Sequence, residues 1–439
     1  MEKLLKKTIG LLFTDQKSFN EIELLFDFNQ IKDKYIFKYI FGRGIIDYTK
    51  NYTQILFGDF SIRIHALLHN LLIWKNREAT LSFKLRANNV FGNNSQYRNW
   101  TSFFSYDKQR VNFVKRLVVR SLGNSFGISI MSTVIKTIFF CKLIRIQEKF
   151  DNYDCVLLSY GGRPSIQLDF LVWYARKKRF STIALQENWD NLTSKSVLFQ
   201  HPDYFGTWGG QSTAHLRQIH HFKGPVREIG NLKLRKFYMK RNHLDLNSCT
   251  TNQNLLIIGT SWGVHDLRLI QDCADILNTI AKDFAIDLKI VYRPHPYGRI
   301  KDSDLIQISK ISNIVIDKPT KFEDIEHRIS MLLNSSFIIS LYSTVMLEAS
   351  ILNKPCIIPS FLNLSSSYEI KNFLDESDYF KGSSALEGIF NPSTRQEFID
   401  ILKLSMNLEI TNSSELLNWF CANVNTSDEI FSLIEIATS

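Results

Sequence analysis

The fold of this chain is decided by the stretch Ile338–Phe361, which reads Ile-Ile-Ser-Leu-Tyr-Ser-Thr-Val-Met-Leu-Glu-Ala-Ser-Ile-Leu-Asn-Lys-Pro-Cys-Ile-Ile-Pro-Ser-Phe. It opens with the end of a short buried strand, Phe337–Ser340, in which no polar residue alternates with the apolar ones. A hydroxyl turn at Ser343 and Thr344 follows, then an apolar helix, and then a second buried strand, Cys356–Pro359. This order of strand, helix and strand predicts a βαβ unit in a parallel sheet.

The turn at Ser343 and Thr344 is a candidate phosphate site. In a βαβ unit the helix starts at the carboxyl end of the strand, so its free N–H groups and positive dipole end favour an anion there. The two hydroxyls would donate to the same anion, and Glu348, one helical turn further on, would accept from a ribose or sugar hydroxyl. A hydroxyl cap on an ordinary helix predicts the same residues, and both interpretations remain open from this stretch alone.

Length, composition and charge limit the classes of protein. A chain of 439 residues is too long for one ordinary core and predicts two domains. Its 44% hydrophobic and 22% charged content is typical of a soluble globular protein and excludes an intrinsically disordered one. The net charge of +10 favours acidic partners such as a nucleotide, an anionic lipid surface or a phosphorylated acceptor. Nucleic acid is less favoured as a partner, because no recognised binding motif accompanies the charge.

The cysteines and the most apolar segments indicate a cytoplasmic protein. None of the six cysteines forms a C-x-x-C pair, which favours reduced core residues over zinc ligands or disulfides. The apolar run Ile9–Phe13 is too short for the core of a signal peptide. The segment Phe126–Ile146 is interrupted by Lys136, so we expect no transmembrane span.

The region Lys108–Phe150 is mostly helical by pattern and carries many basic residues. One interpretation is an amphipathic face that binds an anionic membrane surface, which would place the protein peripherally on the inner face of the membrane. The other interpretation is a solvated helix face, and the sequence leaves both open.

The predicted elements group into two Rossmann-like α/β domains facing across a cleft. The first domain is predicted at residues 1–235, with a β-α-β opening over residues 8–41 and a helical, basic insertion. A linker is predicted at residues 236–251 and the second domain at 252–439.

Three predicted strands of the second domain end in polar residues. Thr260-Ser261 follows the first strand, Arg293 and His295 follow the second, and Ser343-Thr344 follows the strand described above. Because the carboxyl ends of parallel strands meet at one edge of a sheet, we expect these side chains to share one crevice. Hydroxyls, a guanidinium and an imidazole are suited to a nucleotide phosphate. The prolines beside His295 hold it on an extended backbone, and a purely structural turn is the alternative.

Two other groups of residues suggest metal sites, and neither is favoured. His215, His220 and His221 lie on one predicted helix, but the last two are adjacent and cannot share a face. No carboxylate or cysteine of that helix lies at ligand spacing. Asp302-Ser303-Asp304 resembles a metal-binding D-x-D motif, but capping explains its position before a helical run better. We therefore expect no metal site.

Two motifs of the second domain resemble a known group of enzymes. Tyr-Arg-Pro-His-Pro at 292–296 is followed by Ser-Leu-Tyr-Ser-Thr-Val-Met-Leu-Glu-Ala-Ser-Ile-Leu-Asn-Lys-Pro at 340–355. Together they resemble the carboxyl-terminal half of GT-B-fold glycosyltransferases that build bacterial surface polysaccharides. The pattern is most similar to that of the bacterial sialyltransferase and capsule groups and of the CDP-glycerol glycerophosphotransferases. The similarity covers residues 153–361, and Tyr342 departs from it because a small residue is usual in such a turn.

The resemblance implies a glycosyltransferase that moves a sugar from a nucleotide-activated donor to a surface-polysaccharide or lipid-linked acceptor. In these families the histidine of the His-Pro motif and the Ser/Thr turn hold the donor, which assigns His295, Ser343 and Thr344 to donor binding. The donor would occupy the second domain and the acceptor the first. Transfer would need no metal ion and no cofactor other than the nucleotide-sugar substrate.

The resemblance also implies a division of catalytic work. His295 and Arg293 would stabilise the leaving phosphate, and a base from the first domain would deprotonate the acceptor hydroxyl. Asp190 and Glu187 lie on a loop at a predicted strand end and are the candidates for this base, with Asp190 preferred. A turn in which these carboxylates cap backbone groups is the alternative.

Three other functions remain open. A sugar-nucleotide 2-epimerase or hydrolase would use the same phosphate site without a separate acceptor. A polyol-phosphate transferase of the CDP-glycerol type would use it with a different donor. A non-catalytic module that binds anionic surfaces would rest on the positive charge alone.

Overall fold

The computed structural model describes residues 6–13, 34–41, 52–55, 57–84, 87, 113–146, 153–161, 165–242, 254–259, 266–283, 288–295, 300–317, 324–340, 343–359, 361, 377–405, 410 and 412–439. The described residues up to Leu232, together with Trp419–Ser439, form a first unit, and those from Lys233 to Asn418 form a second unit. Each unit is built on one parallel sheet.

The sheet of the first unit has seven described strands in the order β3-β2-β1-β4-β5-β6-β7. Every pairing between neighbours is parallel. The strands are β1 Lys7–Phe13, β2 Tyr35–Phe41, β3 Tyr52–Gln54, β4 Cys155–Tyr160, β5 Ser181–Gln186, β6 Tyr204–Thr207 and β7 Val226–Glu228.

The sheet of the second unit has six described strands in the order β10-β9-β8-β11-β12-β13, again all parallel. Its order reverses between β8 and β11, which is where ligands bind in open α/β sheets. The strands are β8 Asn254–Ile258, β9 Lys289–Arg293, β10 Ile314–Ile316, β11 Phe337–Ser340, β12 Cys356–Ile357 and β13 Ile389–Phe390. The predicted α/β class with two Rossmann-like domains is confirmed.

Helices connect the strands, as parallel pairing requires. Those bounded in the described residues are α1 Asp59–Lys75, α2 Phe113–Leu122, α3 Ser125–Ile146, α4 Ile166–Lys178, α5 Gly210–His220, α6 Leu232–Asn242, α7 Asp266–Asp283, α8 Asp302–Ile308, α9 Ile325–Leu333, α10 Val345–Ile351, α11 Arg395–Ser405, α12 Ser414–Phe420 and α13 Thr426–Thr438, with a π-helical turn at Asn191–Lys195 and a 3₁₀ turn at Ser383–Ala385.

Both faces of the first sheet are buried, which explains why its central strands are apolar throughout. Alternate residues of β4 divide between two cores: Val156 and Leu158 pack with α1, α3 and α4, whereas Cys155 and Leu157 pack with α13. The carboxyl-terminal helix α13 therefore completes the first unit. Lys7 supports this attachment, since its Nζ donates to the carbonyl of Thr438 over 2.7 Å.

The domain boundaries differ from the predicted ones in two places. Residues 419–439 belong to the first unit and not to a domain spanning 252–439, because α13 buries its apolar face on the first sheet. The predicted linker 236–251 begins as the second half of α6, whose Phe237 and Tyr238 are buried. The guanidinium of Arg328 lies 5.7 Å from the ring of Phe237, which holds this helix in the second unit.

Helix α3 has an unusual surface for a helix of a globular unit. Its stretch Ser125–Ile144 is long and apolar enough to cross a membrane by length and composition, and 17% of the most apolar part is buried. The sequence predicted no transmembrane span here because Lys136 interrupts the run.

Candidate active site

Three strands of the second unit end at the same level of one edge. Ile258, the last residue of β8, pairs with Arg293 on β9 and with Ser340 on β11. His295 and Ser343 therefore both follow strand ends at the carboxyl edge, on either side of β8. Two strand spacings of about 4.8 Å separate the ends of β9 and β11, or roughly 10 Å. The predicted donors Thr260 and Ser261 lie outside the described residues.

Gly259 fixes the position of the His-Pro segment against the end of β8. Its N–H donates to the carbonyl of Arg293 over 2.8 Å. A Cβ atom at position 259 would lie 2.6 Å from Asp266 Oδ2 and 3.0 Å from the backbone nitrogen of His295, so a side chain here would displace the Asp266 carboxylate and crowd the His295 backbone. Glycine thus lets the two segments approach closely without displacing either of them.

Asp266 is a buried residue of this edge that the sequence did not single out. It lies in the first turn of α7, and Tyr292 donates its hydroxyl to Asp266 Oδ2 over 2.7 Å. Burial, and then the charge of Asp266, raise the pKa of Tyr292, so the hydroxyl remains a donor. This bond holds the start of α7 on β9, the strand that leads to His295.

Arg293 was predicted to contact the donor phosphate, but its guanidinium is held elsewhere. Its Nη1 lies 2.5 Å from Asp317 Oδ2 and 3.2 Å from the sulfur of Met331, and the residue is 5% exposed. His327 Nε2 lies 3.2 Å from the same carboxylate. The positive charge of Arg293 is thus compensated by Asp317. We interpret Arg293 as a positioning residue that joins β9 to β10 and α9.

The hydroxyl turn before α10 has the form of a helix cap. Ser343 Oγ accepts from the Val345 N–H over 3.3 Å and lies 3.3 Å from Ser340 Oγ. Ser343 and Thr344 are both partly exposed, so their hydroxyls are accessible to a ligand. The helix itself has seven residues, so its dipole is small and the hydroxyls are the main donors.

Glu348 is buried behind this turn, and one of its two carboxylate oxygens is paired with a cation. Its Oε1 lies 2.9 Å from Arg328 Nη2. Its Oε2 is buried and has no hydrogen-bond partner in the described part of the chain, and the same holds for Arg328 Nε. A buried carboxylate oxygen is normally satisfied, so a ligand hydroxyl is a reasonable partner for it.

In the first unit, Glu187 lies at the carboxyl edge between β4 and β5. Its Oε1 accepts from the hydroxyl of Ser159, and its backbone N–H donates to the carbonyl of Tyr160 over 3.2 Å. A Cβ atom at position 161 would lie 2.7 Å from Glu187 Oε2, so the carboxylate lies directly over Gly161. Glu187 is partly exposed and is the carboxylate of this loop that suits a proton acceptor.

Asp190 was the preferred base in the sequence, and its surroundings do not suit that role. Its Oδ2 lies 2.8 Å from Lys195 Nζ and accepts from Ser194 Oγ over 2.7 Å. Burial alone would raise the pKa of Asp190, but Lys195 and Ser194 outweigh it and hold the pKa below its usual value. A base with a lowered pKa is weak at neutral pH. Asp190 therefore holds the turn Asn191–Lys195 through two side chains of that turn, Lys195 and Ser194, and its carboxylate does not cap a backbone N–H.

The loop that carries Glu187 is fixed by buried side chains. Trp189 Nε1 donates to Gln211 Oε1 over 2.8 Å, and Asn191 Nδ2 donates to the carbonyl of Tyr160 over 2.7 Å. His220 accepts from the Leu198 N–H through Nδ1 over 3.1 Å and donates to the Leu192 carbonyl through Nε2 over 2.7 Å. Both ring nitrogens of His220 are therefore bound to backbone, which leaves no lone pair of that residue for a metal.

Similarity to known proteins is found among solved structures, and it concerns the fold. No family model matches the sequence, and no curated protein matches it. The UDP-GlcNAc 2-epimerase from Methanocaldococcus jannaschii aligns with 98% of this chain and 100% of its own, at 10% identity and a TM-score of 0.50. A UDP-GlcNAc 2-epimerase from Neisseria meningitidis aligns over 98% and 100%, at 11% identity and a TM-score of 0.45. The wall teichoic acid polymerase TagF aligns over 100% and 90%, at 14% identity and a TM-score of 0.44.

At these identities the likeness establishes architecture and nothing more. The alignment with the archaeal epimerase covers nearly the whole chain, including both parallel sheets. The chain accordingly has the GT-B type of α/β fold, with two Rossmann-like domains.

Proposed function

We propose that this protein is a glycosyltransferase that uses a nucleotide-activated sugar donor. The observation that supports this most is the register of the second sheet, which aligns the ends of β9 and β11 on either side of β8. His295 and the Ser343–Thr344 turn thereby flank the point where the strand order reverses, which is the ligand position expected in such sheets.

In this proposal the donor phosphates lie between His295 and the hydroxyls of Ser343 and Thr344. Oε2 of Glu348, for which the described residues offer no partner, accepts a hydroxyl of the donor ribose. Arg293 does not contact the donor but holds β9, and with it His295, through Asp317. Fixed donors of this kind stabilise negative charge that develops on a leaving phosphate.

The proposed reaction is the transfer of the sugar to an acceptor hydroxyl. Glu187 removes the proton of the acceptor hydroxyl, whose oxygen forms a bond to the anomeric carbon. The bond from that carbon to the phosphate oxygen breaks, and its electron pair remains on the phosphate held by His295, Ser343 and Thr344. The proposed reaction needs no metal ion at the phosphate, since the imidazole of His295 and the two hydroxyls supply its hydrogen-bond donors.

We further propose that the protein works on a lipid bilayer and receives a lipid-linked or surface-polysaccharide acceptor there. Five exposed apolar residues of α3 fall within one stripe at 100° per residue: Phe126, Ile130, Val134, Phe140 and Ile144. Lys136 lies beside this stripe, and the chain carries a net charge of +10, which suits an anionic surface. We propose the inner face of the cytoplasmic membrane as that surface.

A second candidate is a sugar-nucleotide 2-epimerase. A solved structure with that name aligns with almost the whole chain. Such an enzyme would use the same phosphate site, and Glu187 would act on the sugar and not on an acceptor. A CDP-glycerol-type transferase would use the site with a polyol-phosphate donor.

One assay separates these functions. The purified protein is incubated with CMP-, UDP- and GDP-sugars and with CDP-glycerol, each with and without acceptor glycans or lipid-linked acceptors. Nucleotide release that depends on the acceptor supports a transferase, and the responding donor distinguishes sugar from polyol-phosphate transfer. Conversion of the donor without acceptor supports an epimerase or hydrolase. Absence of binding to any nucleotide would contradict all of these and leave the module that binds anionic surfaces.

A further inference from the structure

Three potential metal ligands converge in the core of the first unit. His65 Nε2 lies 2.7 Å from Asp169 Oδ2, His69 Nε2 lies 3.0 Å from the same oxygen, and the two imidazole nitrogens are 3.3 Å apart. All three residues are buried. We propose that His65, His69 and Asp169 bind a divalent transition-metal ion, of which zinc is the first choice.

The spacing of the ligand atoms is close to that of a coordination site. A tetrahedral ion with bonds of about 2.0 to 2.1 Å holds its ligand atoms about 3.3 to 3.4 Å apart. The distance between His65 and His69 already has this value, and the two distances to Asp169 would have to open by about 0.3 to 0.7 Å. The histidines are four residues apart on α1, so both rings project from one face of the helix.

The groups around the cluster orient the ligands as in known metal centres. His69 Nδ1 lies 2.6 Å from Ser196 Oγ, so the far nitrogen of this ring has a hydroxyl partner while Nε2 points at the cluster. Asp169 Oδ1 accepts from the Gln200 N–H over 3.2 Å, which leaves Oδ2 for the metal. Bonds of this kind fix the tautomer and the orientation of metal ligands.

Charge balance also favours a cation at this point. Asp169 is a buried carboxylate whose partners in the described part of the chain are two imidazoles and one backbone N–H, with no lysine or arginine among them. An uncompensated carboxylate in the core is costly. A divalent ion removes this cost and accommodates the three atoms that face each other.

The ligand types select the class of ion. Two imidazoles and one carboxylate suit Zn²⁺ and its first-row neighbours, whereas Mg²⁺ and Ca²⁺ prefer oxygen ligands. Three protein ligands leave one position of a tetrahedral ion for water or another small ligand.

The position of the site indicates a structural role. It joins α1 to α4, and Ser196 and Gln200 link it to the segment that follows the Glu187 loop. The metal would thus hold the helices that support this loop. This inference is independent of the proposed glycosyl transfer, because none of the three ligands takes part in that reaction.

The site is tested on the full-length protein by measuring its metal content by mass spectrometry after purification without chelators. We expect roughly one zinc per chain. His65→Ala, His69→Ala and Asp169→Asn should each lose the metal. His220→Ala is the matched control: His220 is equally buried in the same unit but bonds only to backbone, so this variant should be less stable and keep its zinc.

A second measurement does not depend on how well the variants fold. Removal of the metal from the wild type should lower its Tm, zinc should restore it, and Co²⁺ should give the visible absorption of a low-coordinate ion. His69→Cys should retain metal, because a thiolate replaces the imidazole. A wild type that contains no bound metal and shows no change of Tm with zinc would overturn the proposal. Equal zinc content in the wild type and a folded Asp169→Asn variant would also overturn it.

Discussion

Arg293 and Asp317 form a partly buried ion pair, with Nη1 and Oδ2 2.5 Å apart, at the end of the strand that leads to His295. Arg293 and His295, on either side of Pro294, therefore have different proposed roles. The guanidinium supports the strand end through Asp317, whereas the imidazole two residues later is the proposed phosphate donor.

Arg293→Ala should therefore act on stability more than on donor affinity. It leaves Asp317 without its main partner, and we expect the free energy of unfolding to fall by about 3 kcal/mol. Denaturant unfolding measures the loss, and nucleotide titration of the folded variant measures affinity. Loss of nucleotide binding at unchanged stability would show that Arg293 contacts the donor after all.

His295→Asn and Ser343→Ala should have the opposite effect. Both remove a proposed phosphate donor from a partly exposed position, so we expect the turnover rate to fall by about 10²- to 10³-fold at nearly unchanged Tm. Ser303→Ala, on the exposed first turn of α8, is the control and should keep full activity. Full activity of His295→Asn would remove the main assignment of the donor site.

Glu187→Gln and Asp190→Asn distinguish the two candidate bases. Glu187 lies over Gly161 and accepts from the hydroxyl of Ser159, whereas Asp190 is bound to Lys195. We expect Glu187→Gln to lower the turnover rate by about 10²- to 10⁴-fold. Asp190→Asn should cost less than about 1 kcal/mol of stability and keep most of the activity. The reverse order of turnover rates would restore Asp190 as the base.

His220 should make stability depend on pH. Burial, together with neighbouring histidines including His201, His215 and His221, lowers the pKa of His220 to about 4 although its bond to Leu192 opposes this. In the unfolded chain His220 takes up a proton near pH 6.5. The contribution of buried, unprotonated His220 to stability is therefore complete above that pH, and it declines as the pH falls from about 6.5 to about 4.

The size of this decline is on the order of 3 kcal/mol between those two pH values. His220→Gln removes the titrating group, so its stability should change less than that of the wild type over the same interval, although it is lower at pH 7. Chemical unfolding of both proteins at several pH values makes the comparison. Parallel curves would mean that another group causes the acid sensitivity.

The stripe on α3 should control binding to membranes. Phe126 and Ile144 are 74% and 65% exposed, and their joint replacement by serine should reduce partitioning to anionic vesicles by about tenfold or more. Phe60→Ser, at a phenylalanine of α1 that is 72% exposed, is the matched control and should bind like the wild type. Equal binding of all three proteins, or equal binding to neutral vesicles, would contradict a membrane role for α3.

Much of the fold is visible in the sequence, because long buried strands and amphipathic helices have strong patterns. The strand Phe337–Ser340 and the helix from Val345 begin where the sequence predicts. The short strands β3 and β13 were missed, since two or three residues carry no periodicity and their pairing partners determine them. The return of α13 to the first unit was missed for the same reason: burial of its apolar face depends on a sheet more than 200 residues earlier.

The candidate site was predicted only in part. Strand ends can be read from the sequence, so the edge that holds His295 and Ser343 was expected. The ion pair of Arg293 with Asp317 was not, because it joins residues 24 positions apart whose orientation depends on packing. The cluster in the first unit was missed although His65 and His69 have ligand spacing, since Asp169 is 104 residues from His65.

The most direct test of the central claim is a structure of the protein with the nucleotide that binds it best. The account predicts that the phosphate groups lie between the ends of β9 and β11, within hydrogen-bond distance of His295 and the hydroxyl of Ser343, with a ribose hydroxyl on Glu348. A nucleotide bound elsewhere, with its phosphates away from both His295 and Ser343, would contradict it.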